Sequence, residues 1–127
     1  MTRTAAELTA AELETLRRRL REREKHGDPT RGARLAHARA VAQRAAQVLR
    51  EHFGATRVVL FGSCLREEWF TPWSDVDLAA WGIRAADTFR AMGVVRGLDP
   101  TIEVNVIDVT ACSPALRATI EAEGQEL

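Results

Sequence analysis

Two aspartates, Asp75 and Asp77, stand two positions apart in the run DVDL, and an 11-residue spacer separates them from a Gly62-Ser63 pair. On a strand, residues two apart face the same side, so the carboxylates would lie roughly 6.5–7 Å apart along the chain. Crowded carboxylates repel and raise each other's pKa unless a cation sits between them. Mg2+ suits that place, because it prefers carboxylate oxygen and shares phosphate oxygens as ligands. Gly62 lets the backbone approach a ligand closely or adopt a positive φ. Ser63 can cap the turn that follows, whose free N–H groups suit a phosphate. Arg66, one turn further on, can reach the same anion. Each of these features alone is also what a solvated strand end or an ordinary strand-to-helix turn contains.

A later segment adds a third acid. In residues 101–107, TIEVNVI, the apolar Ile102, Val104 and Val106 face one way, and Glu103 and Asn105 face the other. If this strand neighbours the aspartate strand, Glu103 comes within roughly 5 Å of one aspartate. Three converging carboxylates can hold two metal ions that bridge an attacking and a leaving oxygen. As an isolated feature, Glu103 also reads as an exposed charge on an edge strand.

The elements that must position these residues follow from periodicity and punctuation. Residues 4–25 predict a helix with two candidate starts, Thr4-x-x-Glu7 and Thr9-x-x-Glu12, and with Leu13, Leu16 and Leu20 on one face. Residues 30–52 predict a second helix, whose stripe Leu35, Ala38, Ala42, Ala45 and Leu49 is rich in alanine and permits close approach of a neighbour. Gly54 suits the left-handed position that ends it. Residues 57–61 read as a strand covered on both faces. One or two helical turns over residues 64–68 and a Pro-containing loop lead to a second strand over residues 75–81. A helix over residues 84–98, a third strand over residues 101–109 and a last helix opened by Ser113-Pro114 complete the order α-α-β-(short α)-β-α-β-α. The fold class is α/β in the α+β sense: a small mixed sheet backed by helices, with residues 1–54 as a helical extension and residues 55–127 as the core of one integrated domain.

Composition narrows the setting. The 127 residues are enough for one domain with a core. No apolar run reaches the roughly 18–20 residues that span a bilayer, so no membrane role is expected. The two cysteines, Cys64 and Cys112, do not suggest a disulfide framework, and a reducing cytoplasm is expected. Zero net charge conceals +5 over residues 1–54 and −5 over residues 55–127. A basic helical half can bind a partner or steer an anion, and it also reads as a solvated face. His26, His37 and His52 lack metal-ligand spacing. Cys64 reads as buried filler, Trp81 as core, and Trp69 and Trp73 as loop packing or as platforms for a base.

Taken together, FGS, an 11-residue spacer, DVDL and a later carboxylate in an apolar strand resemble the nucleotidyltransferase superfamily that includes DNA polymerase β. The compact form resembles the minimal nucleotidyltransferases, many of them partners of small all-helical HEPN proteins. The resemblance covers residues 58–127 and implies a nucleotidyltransferase-like fold. It implies that Gly62 and Ser63, with Arg66, bind the triphosphate of ATP or another NTP. Asp75, Asp77 and Glu103 would then hold two Mg2+, with Glu103 assisting deprotonation of the acceptor. The implied activity is transfer of NMP, as AMP, to a hydroxyl on a HEPN-like protein partner, in the manner of an antitoxin. The alternative is a weak or inactive nucleotide-binding module that neutralises a partner or self-associates through residues 1–54; nucleic acid is the less favoured ligand. Three departures stand out: the spacer is one residue longer than the commonest form, the third acid is Glu rather than Asp, and Glu67 replaces a frequent glycine.

Overall fold

The computed structural model describes residues 9–26 and 30–127, which fall into two units divided after Thr30. The first contains α1 (Ala10–His26). Of its two candidate starts, Thr9 is the cap: its Oγ1 accepts the Glu12 N–H at 3.1 Å and its carbonyl accepts the Leu13 N–H at 2.9 Å. The other start, the first turn expected over residues 4–8, the Leu20 side chain and the break at residues 27–29 lie outside the described residues.

The second unit runs from Arg31 to Leu127. It begins with α2 (Arg31–Phe53) and continues through β1 (Arg57–Phe61), 3-10 turns at Gly62–Leu65 and Glu67–Trp69, and β2 (Val76–Trp81). Then come α3 (Thr88–Arg96), β3 (Val104–Asp108), α4 (Pro114–Glu123) and β4 (Gln125–Glu126). The sheet order is β3-β2-β1-β4, with β2 parallel to β3 and the other pairs antiparallel.

Alternation along the strands sends side chains to two separate cores. Val58, Leu60, Val76, Leu78, Val104 and Val106 meet the α2 stripe and Ala91 and Val95 of α3. Val59 and Ala79 meet Ile120 of α4 on the opposite face. The expected stripe on α2 is wholly buried, from Leu35 to Leu49, because its alanines let the helix settle close to the sheet. For the same reason α2 is part of the compact unit that starts at Arg31. Gly54, at φ +73°, ends α2 in the left-handed region, and the Ala55 N–H returns to the Leu49 carbonyl at 3.0 Å. Ser113 caps α4 through the Leu116 N–H at 3.2 Å, with Pro114 in the first turn.

Two strand boundaries differ from the sequence reading. β2 begins at Val76, so Asp75 lies just before it. β3 begins at Val104, because Asp99 organises the preceding residues into a turn: its Oδ1 accepts the N–H groups of Thr101 (2.8 Å) and Ile102 (3.2 Å). β4 was not expected, since two polar residues carry no periodic signal; it pairs with β1 at the opposite edge from β3. No described helix is long and apolar enough to cross a membrane.

Candidate active site

The site forms where β1 leaves the sheet beside the start of β2. Phe61, the last residue of β1, stands opposite Asp77 in the antiparallel ladder. The chain then turns sharply at Gly62, whose φ of +80° is disfavoured for any residue with a Cβ. A Cβ at this position would also come 2.8 Å from Asp77 Oδ2 and displace that carboxylate. The Gly62-Ser63 turn therefore lies directly against the Asp77 carboxylate.

Two contacts hold that turn. Arg39, on the exposed side of α2, donates from Nε to the Cys64 carbonyl at 3.0 Å and from Nη2 to the Leu65 carbonyl at 3.1 Å. The Cys64 thiol donates to the Asp75 carbonyl at 3.4 Å, tying the turn to the residue that precedes β2. Burial, reinforced by the Asp77 charge, pushes this thiol up to about 11, so it stays protonated and serves as a donor and as filler.

The carboxylates themselves occupy one face. Val76 and Leu78 are fully buried on the α2 side, while Asp77 is half-buried on the other. Desolvation raises the Asp77 pKa above the usual carboxylate value; a hydrogen bond from Asn105 opposes that rise and the Asp75 charge adds to it. Asn105 stands across the parallel ladder from Asp77, and its Nδ2 also donates to Asp75 Oδ2 at 3.4 Å. Among the described residues, no cationic side chain forms an ion pair with Asp75 or Asp77.

Glu103 does not join them. Its backbone extends the ladder, with its carbonyl accepting the Val76 N–H at 2.9 Å. Its side chain, however, is 51% exposed and pairs with Arg96 of α3 at 3.4 Å. The three-carboxylate cluster expected from the sequence is accordingly not formed: among the described residues, no three His, Cys, Asp or Glu side chains gather as a metal site. Glu103 precedes the strand, and the position facing Asp77 belongs to Asn105. Arg66 is also turned outward, with its guanidinium 4.8 Å from the centre of the Trp69 ring and 3.9 Å from Glu68. Trp69 and Trp73 are exposed rather than packed.

Two residues of the site carried little sequence signal. Arg39 is one arginine among many on a basic helix, and its reach to the turn depends on how α2 crosses the sheet. Asn105 was visible as the residue two beyond Glu103 on the same strand face, but its neutrality disguised it.

The donor set fits a hard cation. Two adjacent carboxylates, one of them desolvated and neither ion-paired to a described cation, offer oxygen ligands of the kind Mg2+ prefers.

No family model and no curated protein matches the chain. Solved structures do. One, described as a proposed minimal nucleotidyltransferase, shares 29% identity and a TM-score of 0.59, over 73% of this chain and 95% of that one. A toxin-antitoxin structure with AMP-PNP shares 17% identity and a TM-score of 0.56, over 67% of this chain and 70% of that one. A toxin-antitoxin complex MntA-HepT shares 15% identity and a TM-score of 0.52, over 69% of each chain. Among the described residues of the second unit, the helices α2, α3 and α4, a four-stranded mixed sheet and a Gly-Ser turn set against the Asp75-Val76-Asp77 run give the α+β fold of a minimal nucleotidyltransferase domain.

Proposed function

We propose that the chain is a nucleotidyltransferase that binds a nucleoside triphosphate, ATP, with a divalent cation and moves AMP to a hydroxyl group on a partner protein. The observation that carries this reading is the contact between the Gly62 turn and Asp77 Oδ2, with Asp75 alongside. In this reading the backbone N–H groups at Gly62 and Ser63 face the triphosphate, while Asp75 and Asp77 hold Mg2+. The cation supplies charge neutralisation and orients the phosphoryl oxygens. The acceptor oxygen forms a bond to the α-phosphorus as its O–H proton is released to water, the bond from that phosphorus to the bridging oxygen of pyrophosphate breaks, and pyrophosphate leaves. Arg39 fixes the turn, and the hydrogen bonds from Asn105 hold the two carboxylates in place.

The partner is proposed from the likeness to toxin-antitoxin structures: a small helical, HEPN-like protein, presented with an acceptor hydroxyl. Transfer of radiolabel from α-labelled ATP to a co-purified partner, dependent on Mg2+ and lost in Asp75→Asn with Asp77→Asn, tests it. If that double variant binds ATP·Mg2+ as well as the wild type, the metal assignment is wrong.

A second reading is favoured by the position of Glu103. With that side chain engaged by Arg96, Glu103 does not stand beside Asp75 and Asp77 to take the acceptor proton. The chain would then bind nucleotide and neutralise its partner by contact. Partner inhibition that survives loss of both aspartates selects this reading over the transferase.

A further inference from the structure

We propose that Asn105 limits this site to one divalent cation, the one that arrives with the nucleoside triphosphate. The inference rests on the nucleotide-binding reading and deepens it. Two cations about 3.5–4 Å apart need a shared carboxylate and further anionic ligands on either side. A single Mg2+ is commonly held by one or two carboxylates together with phosphate oxygens and waters. Asp75 and Asp77 meet the second requirement and fall short of the first.

The register makes the shortfall structural. In the parallel β2–β3 ladder, Asn105 is the residue opposite Asp77. Its amide nitrogen donates to Asp75 Oδ2 at 3.4 Å, so its donor side faces the carboxylates. An amide group carries no negative charge, and its N–H occupies a lone pair that a second cation would need. Glu103, two residues earlier and just before β3, is drawn to Arg96 and lies 51% exposed. A carboxylate at position 105 would place a third negative charge beside two that have no described cationic partner. Asparagine removes that repulsion in the empty site and removes the second cation's ligand with it.

The test counts cations directly. The full chain is saturated with AMP-PNP and titrated with Mn2+, and bound Mn2+ is followed by electron paramagnetic resonance. The wild type takes one Mn2+ per protein-bound AMP-PNP. Asn105→Asp takes two, and the spectrum broadens as the two spins couple. Glu103→Ala still takes one. Two Mn2+ on the wild type overturns the proposal while leaving the nucleotide reading intact. One Mn2+ on Asn105→Asp with a native circular-dichroism melt overturns it as well. No protein-bound Mn2+·AMP-PNP complex overturns the nucleotide reading together with the cation count. The wild-type count decides alone if Asn105→Asp does not fold.

Discussion

Gly62 and Asp77 are in contact across the antiparallel ladder: there is no room between the glycine Cα hydrogens and the aspartate carboxylate for one methyl group, which would lie 2.8 Å from Oδ2. Gly62→Ala would therefore both strain a backbone at φ +80° and push the carboxylate aside. The conformational part costs on the order of 1–2 kcal/mol. We expect a modest fall in Tm and a much larger loss of nucleotide affinity, read by isothermal calorimetry with AMP-PNP and Mg2+. Equal nucleotide affinity in the folded variant would separate the turn from the ligand.

The carboxylate pair should show itself in ligand-dependent stability. A ligand that binds only the folded chain stabilises it by about 2.7 kcal/mol at 100 times its Kd. For a unit of this size that corresponds to a rise in Tm of roughly ten degrees or more. We expect ATP with Mg2+ to give such a rise in the wild type, and EDTA to remove most of it. Asp75→Asn should abolish the Mg2+-dependent part. A full shift in that variant would show that Asp75 holds no cation.

Arg39 links α2 to the turn through the carbonyls of Cys64 and Leu65. Hydrogen bonds from a charged donor contribute about 1.5–3 kcal/mol when shielded and less at an exposed position. Arg39→Ala is expected to weaken nucleotide binding about five- to tenfold with little change in Tm, because the side chain is largely exposed and supports a loop rather than a core. Arg39→Lys should recover only part of the loss, since an ammonium cannot reproduce the planar pair of donors. A Tm loss that accounts for the whole effect would assign Arg39 to the fold alone.

What the sequence made legible and what it hid divide along physical lines. The α2 stripe, the β1 run, the Thr9 and Ser113 caps and the Gly54 ending were readable because each is local: helical spacing, apolar continuity and capping chemistry act within a few residues. A glycine turn leaving β1 and an Asp-x-Asp run at the start of β2 were readable from spacing and residue type, but the close approach of Gly62 to Asp77 was not. Register was not. Asn105 faces Asp77 because β3 pairs with β2 in the register Asp77↔Asn105, and the Glu103 side chain stands away from the aspartates because Arg96 engages it. Those are long-range packing results, and alternation along one strand cannot supply them. Arg39 was hidden for the same reason, and the two-residue β4 had no pattern to read.

Asp99 provides a pH-dependent test of that turn. Hydrogen bonds from the Thr101 hydroxyl and then its backbone N–H lower the Asp99 pKa to about 2, and His37 at 3.0 Å adds to the effect. The folded pKa lies below the unfolded value of 3.8, so the folded chain binds fewer protons in this range. The stabilisation is complete above the unfolded pKa and is lost as pH falls through about 2. Urea unfolding between pH 5 and pH 2 should show a decline in the wild type that is shallower in Asp99→Asn. A parallel decline in both would move the acid sensitivity to other carboxylates.

Glu103 is the position where the family pattern and this chain's geometry disagree, and its removal gives opposite results under the two. If Glu103 took the acceptor proton, Glu103→Ala would lower the transfer rate by the 100-fold or more typical of a lost general base. If it only pairs with Arg96, the change removes a half-exposed ion pair, for which about 0–1 kcal/mol of stability is usual. We expect the second outcome: nucleotide binding unchanged, transfer to the partner within about twofold of wild type, and Tm nearly constant. Arg96→Ala separates a latent role from none, because it frees Glu103 without deleting it. Faster transfer in Arg96→Ala, abolished again by adding Glu103→Ala, would mean that the ion pair holds a competent base away from the site. Unchanged transfer in all three variants leaves Asp75 and Asp77 as the carboxylates on which the chemistry depends.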